Sequence, residues 1–286
     1  MPGRIAIVTD STAHLSPHVV AERGIEIVPL QVIVDGQPHD EGDDVGPVAI
    51  AEALRSHATV TTSRPSPRTF LDVYESVSVR GATSVVSVHL SGSLSGTADS
   101  ARLAARDAPI PVHVVDSRSL GMGLGFAVLT AAEAAERGLT ADEVAAAAAE
   151  RARRSSAYFY VDTLEHLRRG GRVGAASAVV GTALAIKPLL LLRDGWIELL
   201  EKVRTTSRAV ARLEDLAVDR ATSGVDQSSR VDVAVHHLDH ADRANDLARR
   251  LAERLPGVGD VVVSEVGAVI GAHVGPGLIA VVVSPR

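Results

Sequence analysis

At 286 residues the chain is longer than one hydrophobic core usually sustains, so two domains are expected, and a cleft between domains is a common ligand site. Hydrophobic residues make up 46% and charged residues 22%, a globular composition that excludes extended disorder. The formal net charge of −6 argues against nucleic acid or an anionic membrane as principal partner, and the absence of cysteine excludes disulfides, thiolate zinc sites, iron–sulfur clusters and a cysteine nucleophile.

Met1-Pro2-Gly3-Arg4 leads directly into Ile5-Ala6-Ile7-Val8, too short an apolar stretch for a signal peptide, so the expected compartment is the cytoplasm. Apolar β-branched runs at 5–8, 25–30, 84–88 and 112–115 alternate with helical patterns, which predicts βαβ units and a mainly parallel sheet. Thr9-Asp10-Ser11-Thr12, after the first run, reads first as a helix cap, with a site role secondary. Thr61-Thr62-Ser63-Arg64-Pro65-Ser66-Pro67 precedes a helix near Thr69, and Ser91-Gly92-Ser93-Leu94-Ser95-Gly96-Thr97 follows the third run. Both place hydroxyls where a helix begins, beside exposed amides suited to an anion, and Gly92 and Gly96 would allow close backbone approach. The second segment is not a serine-hydrolase elbow, because Leu94 stands midway between the glycines. Gly121-Met122-Gly123-Leu124-Gly125 is no dinucleotide fingerprint, since residues 116–120 separate it from its strand; a close-packed helix start is expected.

Ala-rich helices are predicted at 126–137 and 141–154, with Gly138 ending the first and Thr140 capping the second. Near residue 155 the character changes, giving domains at 1–155 and 156–286. Residues 151–210 hold eleven Lys/Arg against five Asp/Glu, a local +6 that leaves −12 elsewhere; a basic face and ordinary solvated helices explain this equally well. In Asp162-Thr163-Leu164-Glu165-His166-Leu167-Arg168-Arg169-Gly170-Gly171-Arg172, a helix C-cap explains Gly170 but not Gly171-Arg172. A helix should follow, and the apolar stretch 175–192, broken by Lys187-Pro188, reads as a buried element rather than a membrane span. Asp194-Gly195 predicts a hairpin between strands at 189–192 and 197–201. Helices at 207–222 and 241–255 and strands at 231–236, 261–263 and 279–283 complete the second domain. His236, His237, Asp239 and His240 lack the spacing of a zinc site and read as solvated loop residues; no metal and no cofactor is expected. His273, in Gly271-Ala272-His273-Val274-Gly275-Pro276-Gly277, reads as a loop imidazole able to serve an anion site.

Together, residues 8–12, 62–67, 90–97, 116–117, 163–172, 187–188, 194–195, 202–204 and 271–277 resemble the DegV family in order and spacing, along nearly the whole chain; Arg64 stands where the family usually has Gln. The resemblance implies an α/β protein of two domains, the N-terminal one a three-layer α/β/α with a mainly parallel sheet, the C-terminal one a two-layer α/β with a mixed sheet, and a ligand tunnel at their interface. It further implies that a long-chain fatty acid such as palmitate or oleate lies in that tunnel. A separate fatty acid kinase subunit would phosphorylate its carboxylate with ATP, giving an acyl phosphate for bacterial phospholipid synthesis. The chain would bind and present without being an enzyme by itself, touching a membrane surface transiently for lipid exchange and crossing none. By motif position Thr62, Ser63 and Ser95 bind the carboxylate, with Ser93 a weaker candidate; His273 completes the site, and Arg172 with His273 assists phosphoryl transfer. With aromatics at 2% any pocket is lined by aliphatic side chains, suiting an alkyl chain better than a stacked base. The alternatives are a small-metabolite enzyme or kinase subunit of the dihydroxyacetone kinase-like type, on fold analogy alone, and a nicotinamide-dependent oxidoreductase, weakened by the misplaced glycines.

Overall fold

The structure, a computed structural model, describes residues 3–42, 45–173, 186–223, 230–255, 257–259 and 261–286. The helix expected after Arg172, and most of the apolar stretch 175–192, fall outside these residues. The chain divides into two compact units: Met1–Gln31 with Ser63–Arg153, and Val32–Thr62 with Arg154–Arg286. The sequence reading placed all of 1–155 in one domain. The contact-based division instead changes unit between Arg153 and Arg154 and groups Val32–Thr62 with the second unit, an excursion that local patterning carries no sign of.

In the first unit four parallel strands run in the order β2 (Glu26–Val28), β1 (Ile5–Asp10), β6 (Ser84–His89), β7 (Val112–Asp116). Their residues are apolar on both faces because both faces are covered, as parallel sheets require. Helix α3 (Pro67–Val79) buries Phe70, Tyr74 and Val77, one stripe at helical spacing, against Ala6, Val8 and Val85, with α4 (Thr97–Ala105) beside it. The alternate residues Ile7 and Val86, also buried, face the side that α5 (Met122–Glu136) covers. Helices α1 (Pro17–Arg23) and α6 (Ala141–Arg154) complete the unit. Thr140 caps α6 as expected, and the cap is reciprocal, Thr140 N–H donating to Glu143 at 2.8 Å and Glu143 N–H to Thr140 Oγ1 at 3.4 Å. Helix α5 begins in the Gly121–Gly125 segment, the close-packed helix start expected there and four residues ahead of the 126–137 helix: Gly121 is its N-cap, and Gly125 lies on the Ala13 carbonyl where a Cβ would not fit.

In the second unit a mixed six-stranded sheet runs β10 (Trp196–Val203), β9 (Lys187–Arg193), β8 (Ser156–Tyr160), β13 (Ile279–Pro285), β11 (Val231–His237), β12 (Val262–Glu265), with only β11 and β12 parallel. Helices α8 (Thr206–Thr222) and α9 (Ala241–Arg254) pack Leu213, Leu247 and Leu251 onto Val233, Val235, Ile279 and Val281. Asp194 and Gly195, both at positive φ, form the predicted two-residue hairpin turn. A three-stranded sheet, β4 (Gln37–Asp40), β3 (Gln31–Val34), β5 (Val60–Ser63), went unpredicted, although Asp35-Gly36 carries the same turn signal with φ of 48° and 84°. Strands β4 and β5 are short and mostly polar, so no apolar run marks them, and the apolar β3 follows so closely on the 25–30 run that it merges with it. The unit also holds α2 (Pro47–Arg55), α7 (Glu165–Arg169) and α10 (Ala268–Val274). No helix among the described residues is long and apolar enough to cross a membrane.

Candidate functional site

Each unit contributes part of the expected residue set. In the first unit the chain leaves β6 at His89 and enters α4 at Thr97 through a loop held almost wholly by its own and neighbouring polar groups. Ser91 N–H donates to the Ser119 carbonyl at 2.8 Å, and Leu94 and Ser95 N–H donate back to the Ser91 carbonyl at 3.0 and 3.1 Å. Gly92 N–H donates to Asp116 Oδ1 at 3.1 Å, and Ser93 N–H to Ser91 Oγ at 3.2 Å. Ser95 and Thr97 pair their hydroxyls at 2.9 Å, Ser95 half-buried and Ser93 exposed. The two glycines admit protein side chains: a Cβ at Gly92 would meet the Asp116 carboxylate, and one at Gly96 the Arg64 guanidinium. That replaces the expectation that they open the backbone to a ligand. Arg64 therefore lies on the turn between Ser95 and Thr97, adding positive charge at the start of α4, whose cap makes no side-chain hydrogen bond. Ser63, half-buried at the end of β5, directs its hydroxyl to the Arg64 carbonyl at 3.3 Å. Ser66 caps α3 by accepting from Thr69 N–H at 3.1 Å.

The second unit brings Thr62 and His273 together. Thr62 Oγ1 on β5 lies 2.8 Å from His273 Nε2, across 211 residues of sequence. His273 was expected in a glycine-rich loop; it stands instead in the last turn of α10, where Gly271 lets the helix pack on Leu238 and Ile50. Burial pushes its imidazole down to about 4, and the Arg172 guanidinium acts in the same direction. At neutral pH the ring is an uncharged hydrogen-bonding group rather than a cation.

The glycine pair before Arg172, unexplained by a simple cap, has a clear structural basis. Gly171 N–H donates to the Arg168 carbonyl and Arg172 N–H to the Leu167 carbonyl, both at 3.0 Å, the paired bonds of a Schellman ending with Gly171 at φ 73°. Gly170 lies against the His273 ring so closely that a Cβ would overlap Nδ1. Arg172, half-buried, folds back and donates from Nη1 to the Gly170 carbonyl at 2.5 Å. The turn thus carries Arg172 and His273 side by side. Gly275 and Gly277, at φ 72° and 98°, pass close to the His166 ring and the Asp162 carboxylate, and that carboxylate accepts from Lys187 Nζ at 2.5 Å.

His236 and His237, expected as solvated loop residues, are instead buried at the end of β11, because the strand runs on through them, and the segment's side chains take separate partners. His236 Nδ1 pairs with Ser264 Oγ at 2.9 Å, His237 faces Glu265 at 3.8 Å, and Asp239 pairs with Arg55. No group of three metal-ligating side chains occurs among the described residues. Sequence reasoning missed Asp10 and His89, which join the β1 and β6 ends in the first unit with Nδ1 3.0 Å from Oδ2. The Thr9–Thr12 motif was the signal, and it is indeed a cap, Thr12 N–H donating to Asp10 at 3.1 Å.

A family model described as "Uncharacterised protein, DegV family" matches residues 4–286. A DegV domain-containing protein of Streptomyces coelicolor is 54% identical over 286 residues, 100% of both chains. The fold is similar to that of a solved DegV family protein from Thermus thermophilus described by its fatty acid binding, with TM-score 0.90 and 36% identity over 99% of this chain and 100% of that one. It is equally similar to DegV, a fatty acid binding protein from Bacillus subtilis, with TM-score 0.90 and 31% identity over 99% and 100% of the two chains.

Proposed function

Since this chain belongs to the DegV family, we propose that it binds a long-chain fatty acid in an internal tunnel and presents the carboxylate to a separate kinase subunit for ATP-dependent conversion to an acyl phosphate. The observation that carries the binding half is the full-length likeness, at TM-score 0.90, to two proteins described as fatty acid binding. The residues support a division of labour. Ser95 and Ser63 supply hydroxyls, Thr62 and the uncharged His273 supply a coupled hydroxyl and imidazole, and Arg172 supplies the permanent cation. A carboxylate is recognised by such donors, while the alkyl chain supplies the affinity. At about 0.8 kcal/mol per methylene, fourteen methylenes give on the order of 11 kcal/mol gross, against about 1.5 to 3 for each hydrogen bond to the charged head.

Transfer of a phosphoryl group to a carboxylate brings two anions together, so a cation must stand where negative charge gathers. Arg172 meets that need because its planar guanidinium stays protonated and bridges two oxygens, with His273 orienting the acceptor. The chain then presents substrate, and the partner supplies ATP chemistry. The reading is tested by denaturing extraction and mass spectrometry of purified protein, with palmitate and methyl palmitate titrated into delipidated protein. About one fatty acid per chain and a preference for the free acid are expected; protein that carries none and binds no added palmitate or oleate would overturn it.

A further inference from the structure

The buried polar chain behind the Ser91–Thr97 loop takes no part in the function proposed above. Tyr74 OH lies 2.9 Å from Ser87 Oγ, Ser87 Oγ 2.7 Å from His89 Nε2, and His89 Nδ1 3.0 Å from Asp10 Oδ2. The same Asp10 oxygen accepts from Leu90 N–H at 2.9 Å, and Oδ1 accepts from Thr12 N–H at 3.1 Å and Thr12 Oγ1 at 2.6 Å. Tyr74, Ser87, His89 and Asp10 are all at 0% exposure. Backbone amides only donate, so Asp10 is the acceptor at this junction. His89 Nδ1 faces that carboxylate, its Nε2 pairs with Ser87 Oγ, and Ser87 Oγ pairs with the Tyr74 hydroxyl. Phe70 holds the imidazole edge-on, ring centres 5.0 Å apart.

Ser87, His89 and Asp10 have the spacing of a nucleophilic triad, but no substrate reaches a serine sealed within a strand and covered by a tyrosine hydroxyl. What the chain reaches is backbone. Leu90 is the residue through which β6 enters the hydroxyl loop, and its N–H is fixed by Asp10. We infer that Asp10, oriented by the Tyr74–Ser87–His89 relay, is the positioning residue of the hydroxyl loop, setting where Ser91 to Ser95 stand for a bound carboxylate. The role toward ligand rests on the carrier reading; the clamp on the loop does not.

Two measurements on Asp10→Asn, Ser87→Ala and Tyr74→Phe keep those apart. In ligand-free protein, amide exchange at Leu90 to Ser95 should quicken about tenfold in Asp10→Asn and several-fold in the two milder variants, with exchange in the sheet core unchanged. In binding, the preference for palmitate over methyl palmitate should fall by similar factors while methyl palmitate affinity holds, a split that general destabilisation does not produce. Tyr74→Phe removes one oxygen and keeps the packed ring, so it reports even where Asp10→Asn fails to fold. Unchanged loop exchange in Tyr74→Phe and Ser87→Ala, or equal loss of both ligands, would overturn the inference. A wild type that binds neither ligand would sink the carrier reading instead, and loop exchange would still decide the clamp.

Discussion

The two units prepare their polar groups by different means. In the first, the hydroxyl loop sits at the carboxyl end of a parallel strand and is held by groups at the ends of β1, β6 and β7, where open α/β sheets gather their functional loops. In the second, an imidazole and a guanidinium meet because Thr62 and His273 pair across 211 residues and a Schellman turn sets Arg172 beside them. The first arrangement is built of hydrogen bonds with the Arg64 guanidinium at the start of α4; the second sets an uncharged imidazole beside the Arg172 guanidinium. On the function proposed above, each unit supplies candidate head-group ligands, and the cation that assists transfer comes from the second.

Arg172→Ala is the largest expected effect and the sharpest way to break that division. With the cognate kinase subunit and ATP, acyl phosphate formation should fall by about 10³-fold, as for other cations placed on a transferring phosphoryl group. Bound lipid should be retained. Full turnover in this variant would remove charge from the role assigned to the second unit.

Acidification comes next. His273 has a folded value of about 4 against an unfolded 6.5, so below 6.5 the unfolded chain takes up a proton that the folded chain refuses. Its contribution is complete above 6.5 and is lost as pH falls toward 4, up to about 3 kcal/mol. The first unit carries a comparable group, His14, also pushed down to about 4 by burial, with Asp10 opposing. Urea unfolding between pH 7 and 4 should thus show a loss that His273→Asn reduces; an identical profile in the variant would mean that His273 is not held uncharged.

Ser95→Ala probes the first unit and should weaken palmitate by about 1 to 3 kcal/mol, one head-group bond, leaving methyl palmitate nearly unchanged. Isothermal titration with both ligands checks it. An equal loss for both would place Ser95 in loop packing rather than in recognition.

How much of this was legible follows the same contrast. Strands 5–8, 84–88 and 112–115 announce themselves because a sheet covered on both faces needs continuous apolar runs, and the hydroxyl loop follows directly from one of them. The Thr62 and His273 pairing has no local signal: β5 is short and polar, and its membership of the second unit is a long-range event. The Asp10 motif was visible only as a cap, since nothing near residue 10 in the chain reveals that its second oxygen meets Leu90. Arg172 and His273 were reached through resemblance and through glycines that seemed to lack a structural purpose. The structure supplies that purpose, close approach and left-handed backbone, so the surplus of glycine in these segments has a structural basis of its own.

The smallest expected effect separates those two purposes in adjacent residues. Gly171 has φ 73° and nothing near its missing Cβ, so Gly171→Ala meets no clash and costs only the left-handed strain, about 1 to 2 kcal/mol of global stability. Asn, which tolerates that region, should recover part of it. Gly170 is the converse case. Its φ of −74° suits any residue, but a Cβ would overlap His273 Nδ1. Gly170→Ala should therefore cost little in backbone terms and act on the imidazole, turning it away from Thr62 or forcing the turn outward with Arg172. Thermal unfolding and palmitate titration of both variants give the comparison: Gly171→Ala should lower the melting point with binding near wild type, and Gly170→Ala should weaken binding at least as much as it lowers the melting point. Were Gly170→Ala silent in binding, the turn would be serving the fold alone, and the proximity of Arg172 to His273 would carry no functional weight.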